Sequence, residues 1–208
     1  MSIIPKLATS LNRRDEVPNQ DLAAEIVKMN DTKAVGELVE NLANKNKGIR
    51  YDCIKVLYEV GYERPKLIAR FISEFLDLLN SKDNRMQWGA MTALGCVVNE
   101  KPAAIFAALP KIIAAVDRGS VITRDHCVNI LIALSSDKKY AADVFPELLK
   151  QLATSPVNQL PMYAERALPV ANANKRGQFV KVFAARLDEI EKESMRKRVE
   201  KVIRKLTK

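Results

Sequence analysis

Apolar residues recur along this chain at a spacing typical of stacked helices. Four leucines lie at intervals of 37 residues, namely Leu57, Leu94, Leu131 and Leu168. A small residue precedes each leucine by four positions, namely Cys53, Ala90, Cys127 and Ala164. A second apolar set lies upstream in each unit, namely Leu38, Phe75, Ile112 and Leu149. Because the apolar offsets within each unit are three, four and seven, the pattern predicts two amphipathic helices per unit.

Short polar stretches separate the two predicted helices of each unit. These turns are Asn44–Gly48, Asn80–Asn84, Asp117–Ser120 and Thr154–Pro156, which are rich in turn-forming residues. Pro65 and Pro102 suit helix starts at the crossings between units. The predicted helices span 3–10, 20–29, 32–44, 48–61, 65–79, 84–98, 103–116, 121–135, 140–153, 158–172, 175–191 and 194–206. No segment alternates long enough with a period of two to predict a strand, so the predicted fold is all-α.

A fixed period of this length indicates a solenoid of stacked helical hairpins. Each repeat in such an array buries its apolar face only against its neighbours, so we expect one domain over residues 1–208. The predicted parts are a helical cap over 1–30, four repeats over 31–172, and a looser fifth repeat with a basic cap helix over 173–208.

Tandem hairpins with a small residue four positions before a leucine of the second helix resemble HEAT repeats. The resemblance covers the four units from residue 31 to 172 and, one residue out of phase at Leu206, the fifth. It implies a right-handed superhelix, in which second helices line the concave side and first helices the convex side. It also implies that binding uses the concave side.

Composition narrows the class of protein. The chain has 208 residues, of which 48% are hydrophobic, and no apolar run of 18 or more, so a membrane span is not expected. The first residues lack the pattern of a signal peptide, which favours a cytoplasmic protein. Cys53 and Cys127 share a small-residue column and are interpreted as packing residues, while Cys96 lies alone. Three cysteines without paired spacing and a single histidine predict no disulfide, metal or cofactor.

The second helices supply the candidate binding residues. When the apolar positions that repeat every 37 residues are set aside, the remaining residues of the second helices are predicted to face the groove on the concave side. They are Tyr51, Asp52, Lys55, Trp88, Thr92, Asp125, His126, Asn129, Tyr163 and Arg166. Residues at i and i+4 share a helix face, so pairs such as Tyr51–Lys55 form one stripe. Aromatic residues and arginine are the types that anchor interfaces. In the alternative interpretation, Tyr51 and Trp88 pack against each other between adjacent repeats.

Positive charge is concentrated at the end of the chain. The net charge is +9, and residues 175–208 hold 12 Lys and Arg against five Asp and Glu. The basic residues of the last helix are Arg196, Lys197, Arg198, Lys201, Arg204 and Lys205. They form either a patch for nucleic acid or another polyanion, or the polar outer face that a terminal repeat needs.

Sequence motifs give catalysis little support, because no P-loop, GxGxxG, HExxH or GxSxG pattern is present. The chain also resembles HEAT-like alkylpurine DNA glycosylases in size, repeat class and basic charge. The residue one turn after Trp88 is Thr92 and not an acid, which departs from that family, although Asp125 with Arg124 or Arg166 could supply an acid and its partner.

The favoured interpretation is a non-catalytic scaffold that binds another protein along Tyr51, Lys55, Trp88, Asn129, Tyr163 and Arg166. Nucleic-acid binding, including a DNA glycosylase of the alkylpurine type, is the alternative, and no membrane partner is expected.

Overall fold

A computed structural model describes residues 2–208, which form helices and no strand. Met1, part of the predicted cap over 1–30, lies outside the described residues. The α-helices are α1 (Val17–Met29), α2 (Thr32–Glu40), α3 (Lys47–Glu63), α4 (Ile72–Leu78), α5 (Asn84–Val97), α6 (Pro102–Ala107), α7 (Leu109–Val116), α8 (Val121–Ser136), α9 (Ala141–Ala153), α10 (Leu160–Ala167), α11 (Arg176–Ala184) and α12 (Glu193–Leu206). Single 3-10 turns occupy Ile4–Lys6, Asn41–Ala43, Pro65–Leu67, Ala69–Phe71, Leu168–Val170 and Leu187–Glu189. Within residues 2–208, no helix combines the length and apolar character needed to cross a membrane.

The chain divides into two compact units, one up to Cys127 and one over Val128–Lys208, with the boundary inside α8. In the first unit α3 packs against α1, α2 and α5, and α4 packs against α5. In the second unit α12 packs against α10 and α11, and α9 packs against α11. The expectation of one domain with four repeats over 31–172 stays a prediction.

Side-chain caps explain where several helices begin. The carboxylate of Asp31 accepts hydrogen bonds from the N–H groups of Lys33 and Ala34 at the start of α2, at 3.0 and 2.9 Å. Asn46 and Asp83 cap α3 and α5 in the same way. The first N–H groups of a helix have no acceptor within the helix, and the side-chain oxygens of these turn residues accept their hydrogen bonds.

The predicted core columns are buried with few exceptions. The four small residues and the leucines Leu57, Leu94 and Leu131 are fully buried, whereas Leu168 is half-buried in a 3-10 turn. Leu149 is also half-buried, because α9 turns Leu148 into the core in its place. Three of the four leucines are therefore core residues and the fourth is partly exposed, while the period of 37 residues stays a prediction.

Gly89 lets α3 and α5 approach closely. A Cβ atom added at Gly89 would lie 2.6 Å from Cγ1 of Ile54 on α3, well inside van der Waals contact. A side chain there would force a shift in the well-packed helix pair.

Residues 2–12 are held on the first unit by a buried polar clamp. The Asp52 carboxylate accepts the Thr9 N–H at 2.7 Å and the Asn19 side-chain amide at 2.8 Å. The side-chain oxygen of Asn19 accepts a hydrogen bond from the Ala8 N–H at 3.0 Å. Leu7 and Ala8 are buried beside this clamp, so the predicted helix over 3–10 is instead a 3-10 turn followed by an anchored segment.

In the second unit a buried arginine joins three segments. The Arg186 guanidinium donates to the carbonyl oxygen of Leu152 and the hydroxyl of Ser155, both at 2.9 Å, and to the Glu189 carboxylate at 2.6 and 3.0 Å. These bonds satisfy a carbonyl at the end of α9, where the helix offers no partner of its own.

Candidate functional site

Three predicted binding residues of the first unit are buried, which corrects their assignment to the surface. Asp52 belongs to the clamp described above, and the Thr92 hydroxyl donates to the Trp88 carbonyl oxygen at 2.8 Å in its own helix. Lys55 is 6% exposed, because its ammonium group is enclosed between the carboxylates of Glu16 and Glu59. Burial lowers the pKa of Lys55, but hydrogen bonds to these two carboxylates outweigh it and raise the pKa above its ordinary value.

Tyr51 is half-buried at the start of α3 and surrounded by charges. Its hydroxyl donates to the Asp83 carboxylate at 2.8 and 3.0 Å. The Lys47 ammonium and the Arg85 guanidinium lie over its ring, 5.3 and 4.9 Å from the centroid. These cation–π contacts hold two positive charges beside one aromatic ring.

Asp83 is the acid at the centre of this arrangement, and it is already engaged. Burial raises the pKa of Asp83, but the Tyr51 hydrogen bond, the Arg85 N–H and the Lys47 charge outweigh it, so the pKa is lowered. Asp83 is therefore ionised at neutral pH, with its charge largely matched inside the protein.

Trp88 is half-buried on α5, and its ring packs against Tyr58 of α3 with centroids 5.8 Å apart. Tyr58 in turn meets the exposed Tyr62 edge to face at 5.9 Å. The ring contact of Trp88 is thus with Tyr58, while the alternative in which Trp88 also packs against Tyr51 stays a prediction. The part of the indole not covered by Tyr58 faces a shallow groove.

That groove is the candidate site, and we name it the α3–α5 groove. Its lining is formed by Lys47, Tyr51, Lys82, Asp83, Asn84, Arg85 and Trp88. A neighbouring depression shares Tyr51 and Arg85 and adds Arg13, Arg14, Asp15 and Glu16. The 37-residue register could have indicated part of this cluster, because Lys82 repeats the turn position of Lys45. Arg13 and Arg14 lay outside the repeats and carried no such signal.

Asp125 and His126 are half-buried on the first part of α8. Within residues 2–208, no group of three or more His, Cys, Asp or Glu side chains is placed to hold a metal ion. The acid that the glycosylase resemblance would need one turn after Trp88 is also not there, since Thr92 is buried and bonded to its own helix.

The second unit holds the remaining predicted residues. Arg166 is exposed, and its guanidinium donates to the side-chain oxygen of the half-buried Asn129 at 3.2 Å. Tyr163 is completely buried, so the prediction that it faces a groove is wrong. The cause is helical geometry: Leu160, Tyr163 and Ala167 lie at offsets of three and seven and share the core face of α10.

The basic helix α12 is amphipathic, with Val199, Val202 and Leu206 buried. Half of its cations already have acidic partners. Arg198 binds the Glu165 carboxylate through two hydrogen bonds of 2.6 and 2.9 Å, Lys197 pairs with Glu193 at 2.6 Å, and Arg196 lies 3.8 Å from Asp188.

The other three cations of α12 are Lys201, Arg204 and Lys205, which are exposed and form no ion pair with the described residues. Lys201 and Lys205 do contribute, after the Arg198 hydrogen bond and charge, to lowering the pKa of Glu165. This face of α12 is therefore positively charged and open.

Comparison with known proteins identifies the fold. No family model and no curated protein matches this chain. A designed armadillo repeat protein in complex with the peptide (KR)4 aligns over 100% of both chains, with 14% identity and a TM-score of 0.69. A second designed armadillo repeat protein aligns over 98% of this chain and 99% of its own, with 13% identity and a TM-score of 0.66. An engineered protein aligns over 99% of both chains, with 17% identity and a TM-score of 0.64.

At these identities the likeness concerns the fold alone. The protein is an all-helical repeat solenoid of the HEAT/armadillo-like class, as the sequence resemblance predicted.

Proposed function

We propose that this protein is a non-catalytic scaffold that binds another protein on the α3–α5 groove. The observation that carries the proposal is a half-buried Trp88 in the same groove as Tyr51, whose ring is contacted by the cations of Lys47 and Arg85. Aromatic and arginine side chains partly excluded from water are typical anchors of protein interfaces. The peptide held by a designed armadillo repeat protein of the same fold supports protein binding in general. Cys53 and Cys96 form no disulfide, which supports the cytoplasmic location we also propose.

Affinity capture from an extract of the source cells, followed by reconstitution with the purified partner, tests the proposal. The groove variant combines Lys82→Glu in the groove with Arg14→Glu in the neighbouring depression, because both residues are exposed and neither forms an ion pair with the described residues. The matched control combines Lys66→Glu with Lys101→Glu, two exposed residues outside the groove that give the same change of net charge. We expect the groove variant to lose the partner and the control to keep it. Equal retention by both variants would refute the proposed site.

Binding of nucleic acid through α12 is the second candidate function. It is favoured by the open face of Lys201, Arg204 and Lys205. Fluorescence anisotropy with short duplex and single-stranded DNA at low and physiological salt tests it. Affinity that falls steeply with salt, and falls again in the Lys201→Glu/Lys205→Glu variant, would support it and justify an assay of alkylated-base excision. Absence of binding at low salt would leave α12 with the role of a terminal cap.

A further inference from the structure

We infer that the segment bound in the α3–α5 groove and the neighbouring depression is an acidic stretch of the partner protein. This inference rests on the proposed function and adds the chemistry of the partner. The cations in and beside the groove are Arg13, Arg14, Lys47, Lys82 and Arg85.

The acids of this surface are already matched inside the protein. Asp83 accepts the Tyr51 hydroxyl and lies 3.7 Å from the Lys47 ammonium. Asp15 accepts two hydrogen bonds from the Arg13 guanidinium at 2.8 and 2.9 Å.

Glu16 is matched in the same way, because it binds Lys55 at 2.9 Å and Arg85 at 3.4 Å. Arg14 and Lys82, in contrast, form no ion pair with the residues that the structure describes. The uncompensated charge of the surface is therefore positive. Carboxylates of a partner would be attracted to it and would not be repelled by an unpaired acid of this surface.

The distribution of charge favours a peptide over nucleic acid. A nucleic-acid backbone presents a continuous row of phosphates, whereas Arg14 and Lys82 are the two cations of this surface without an acidic partner among the described residues. Single-stranded nucleic acid also needs aromatic faces for stacking. The Tyr51 ring is approached by two cations and the Trp88 ring is packed on Tyr58, so neither ring is a free stacking platform. A peptide can space its carboxylates to reach Arg14 and Lys82 and can place an apolar side chain against the open edge of Trp88.

Three labelled probes test the inference: the octapeptide (DE)4, its charge mirror (KR)4, and an oligothymidine of eight nucleotides. Anisotropy gives the affinities, and the emission of Trp88, the single tryptophan of the chain, reports whether the probe lies in the groove. We expect (DE)4 to bind at low salt with a Kd at least about tenfold below that of (KR)4, and to change the Trp88 emission. The Arg14→Glu/Lys82→Glu variant should weaken (DE)4 by about tenfold, and the Lys66→Glu/Lys101→Glu control by less than about twofold. Circular dichroism checks that both variants are folded.

Several results would overturn the inference. They are equal binding of (DE)4 and (KR)4, equal weakening by the two double variants, and tighter binding of oligothymidine than of (DE)4. Failure of the inference is distinguishable from failure of the proposed function. If the captured partner is lost in the groove variant while (DE)4 does not bind, the groove binds a protein of another chemistry. If the groove variant retains the partner, the proposed function of the α3–α5 groove as the binding site is refuted.

Discussion

The buried clamp at Asp52 makes a quantitative prediction about stability. Replacing Asp52 by alanine removes the acceptor of two hydrogen bonds, from the Thr9 N–H at 2.7 Å and the Asn19 amide at 2.8 Å. Hydrogen bonds to a charged acceptor contribute about 1.5–3 kcal/mol each, and the lower value is taken for both bonds. We therefore expect Asp52→Ala to lower the free energy of unfolding by about 3 kcal/mol.

Two further variants separate the clamp from a general effect of mutation. Asp52→Asn keeps one acceptor, now neutral, and turns an NH2 group toward the donor that the other oxygen bound, so its loss should be at least about half as large. Asp77→Ala removes a carboxylate that is 81% exposed and bonded to Lys111 at 3.0 Å, and should cost less than about 0.5 kcal/mol.

Urea unfolding gives the free energies, and hydrogen exchange gives the location of the change. Loss of the clamp should release residues 2–12, so the amide of Thr9 should exchange faster in Asp52→Ala while amides within α5 change less. The reasoning is refuted if Asp52→Ala costs no more than Asp77→Ala, or if the Thr9 amide keeps its protection while the protein is destabilised.

Three further predictions follow from packing and burial. Gly89→Ala should lower the free energy of unfolding, measured with urea, by about 1–3 kcal/mol through overpacking. A Cβ atom added at Gly36 would lie 3.8 Å from its nearest heavy atom, so Gly36→Ala should be neutral or stabilise the protein by up to about 1 kcal/mol. Arg186→Lys cannot reproduce the fork of hydrogen bonds and should lower the free energy of unfolding by about 2 kcal/mol, which urea unfolding would show as a lower midpoint; an unchanged midpoint would contradict this. Burial raises the pKa values of the Cys53 and Cys96 thiols from 9.0 to about 12. Ellman's reagent at pH 8 should therefore label the fully buried Cys53 only after unfolding, whereas the half-buried Cys96 should react in the folded protein, but more slowly than after unfolding. The stability that the raised pKa values contribute is complete below pH 9 and should be lost as the pH rises toward 12.

The helices were predictable because their signals are local. Apolar offsets, turn residues such as Asn46 and Asp83, and proline at helix starts each act within a few residues of the chain. The register was less reliable at the fourth unit, where Leu148 is buried in place of Leu149. That choice depends on how a helix rotates against its neighbours, which a single sequence does not specify.

The candidate site was predictable only in part, because its members come from turns and from a segment outside the repeats. Tyr51 and Trp88 were found as aromatic positions on second helices. Lys55 was expected at the surface, but Glu16, which encloses it, stands 39 positions earlier in the chain. The repeat pattern does not extend to residues 2–30, so neither this ion pair nor the clamp at Asp52 had a signal in the sequence.

Trp88 both packs on Tyr58 and lines the groove, and this decides which variants can test the groove. Truncating a large core side chain to alanine costs about 3–5 kcal/mol, and a half-buried indole packed on Tyr58 should cost a substantial fraction of that. A partner lost in Trp88→Ala could thus reflect either unfolding or a missing contact. Trp88→Phe keeps an aromatic ring against Tyr58 and should retain stability within about 1.5 kcal/mol.

If charge carries recognition, Trp88→Phe should also bind (DE)4 within about threefold of the unmodified protein, while Arg14→Glu/Lys82→Glu should not. Anisotropy is the suitable measurement, since this variant has no tryptophan emission. Loss of (DE)4 in Trp88→Phe with stability retained would instead make the indole the main anchor. The acidic residues of the partner would then guide the approach to the groove and contribute little to the lifetime of the complex.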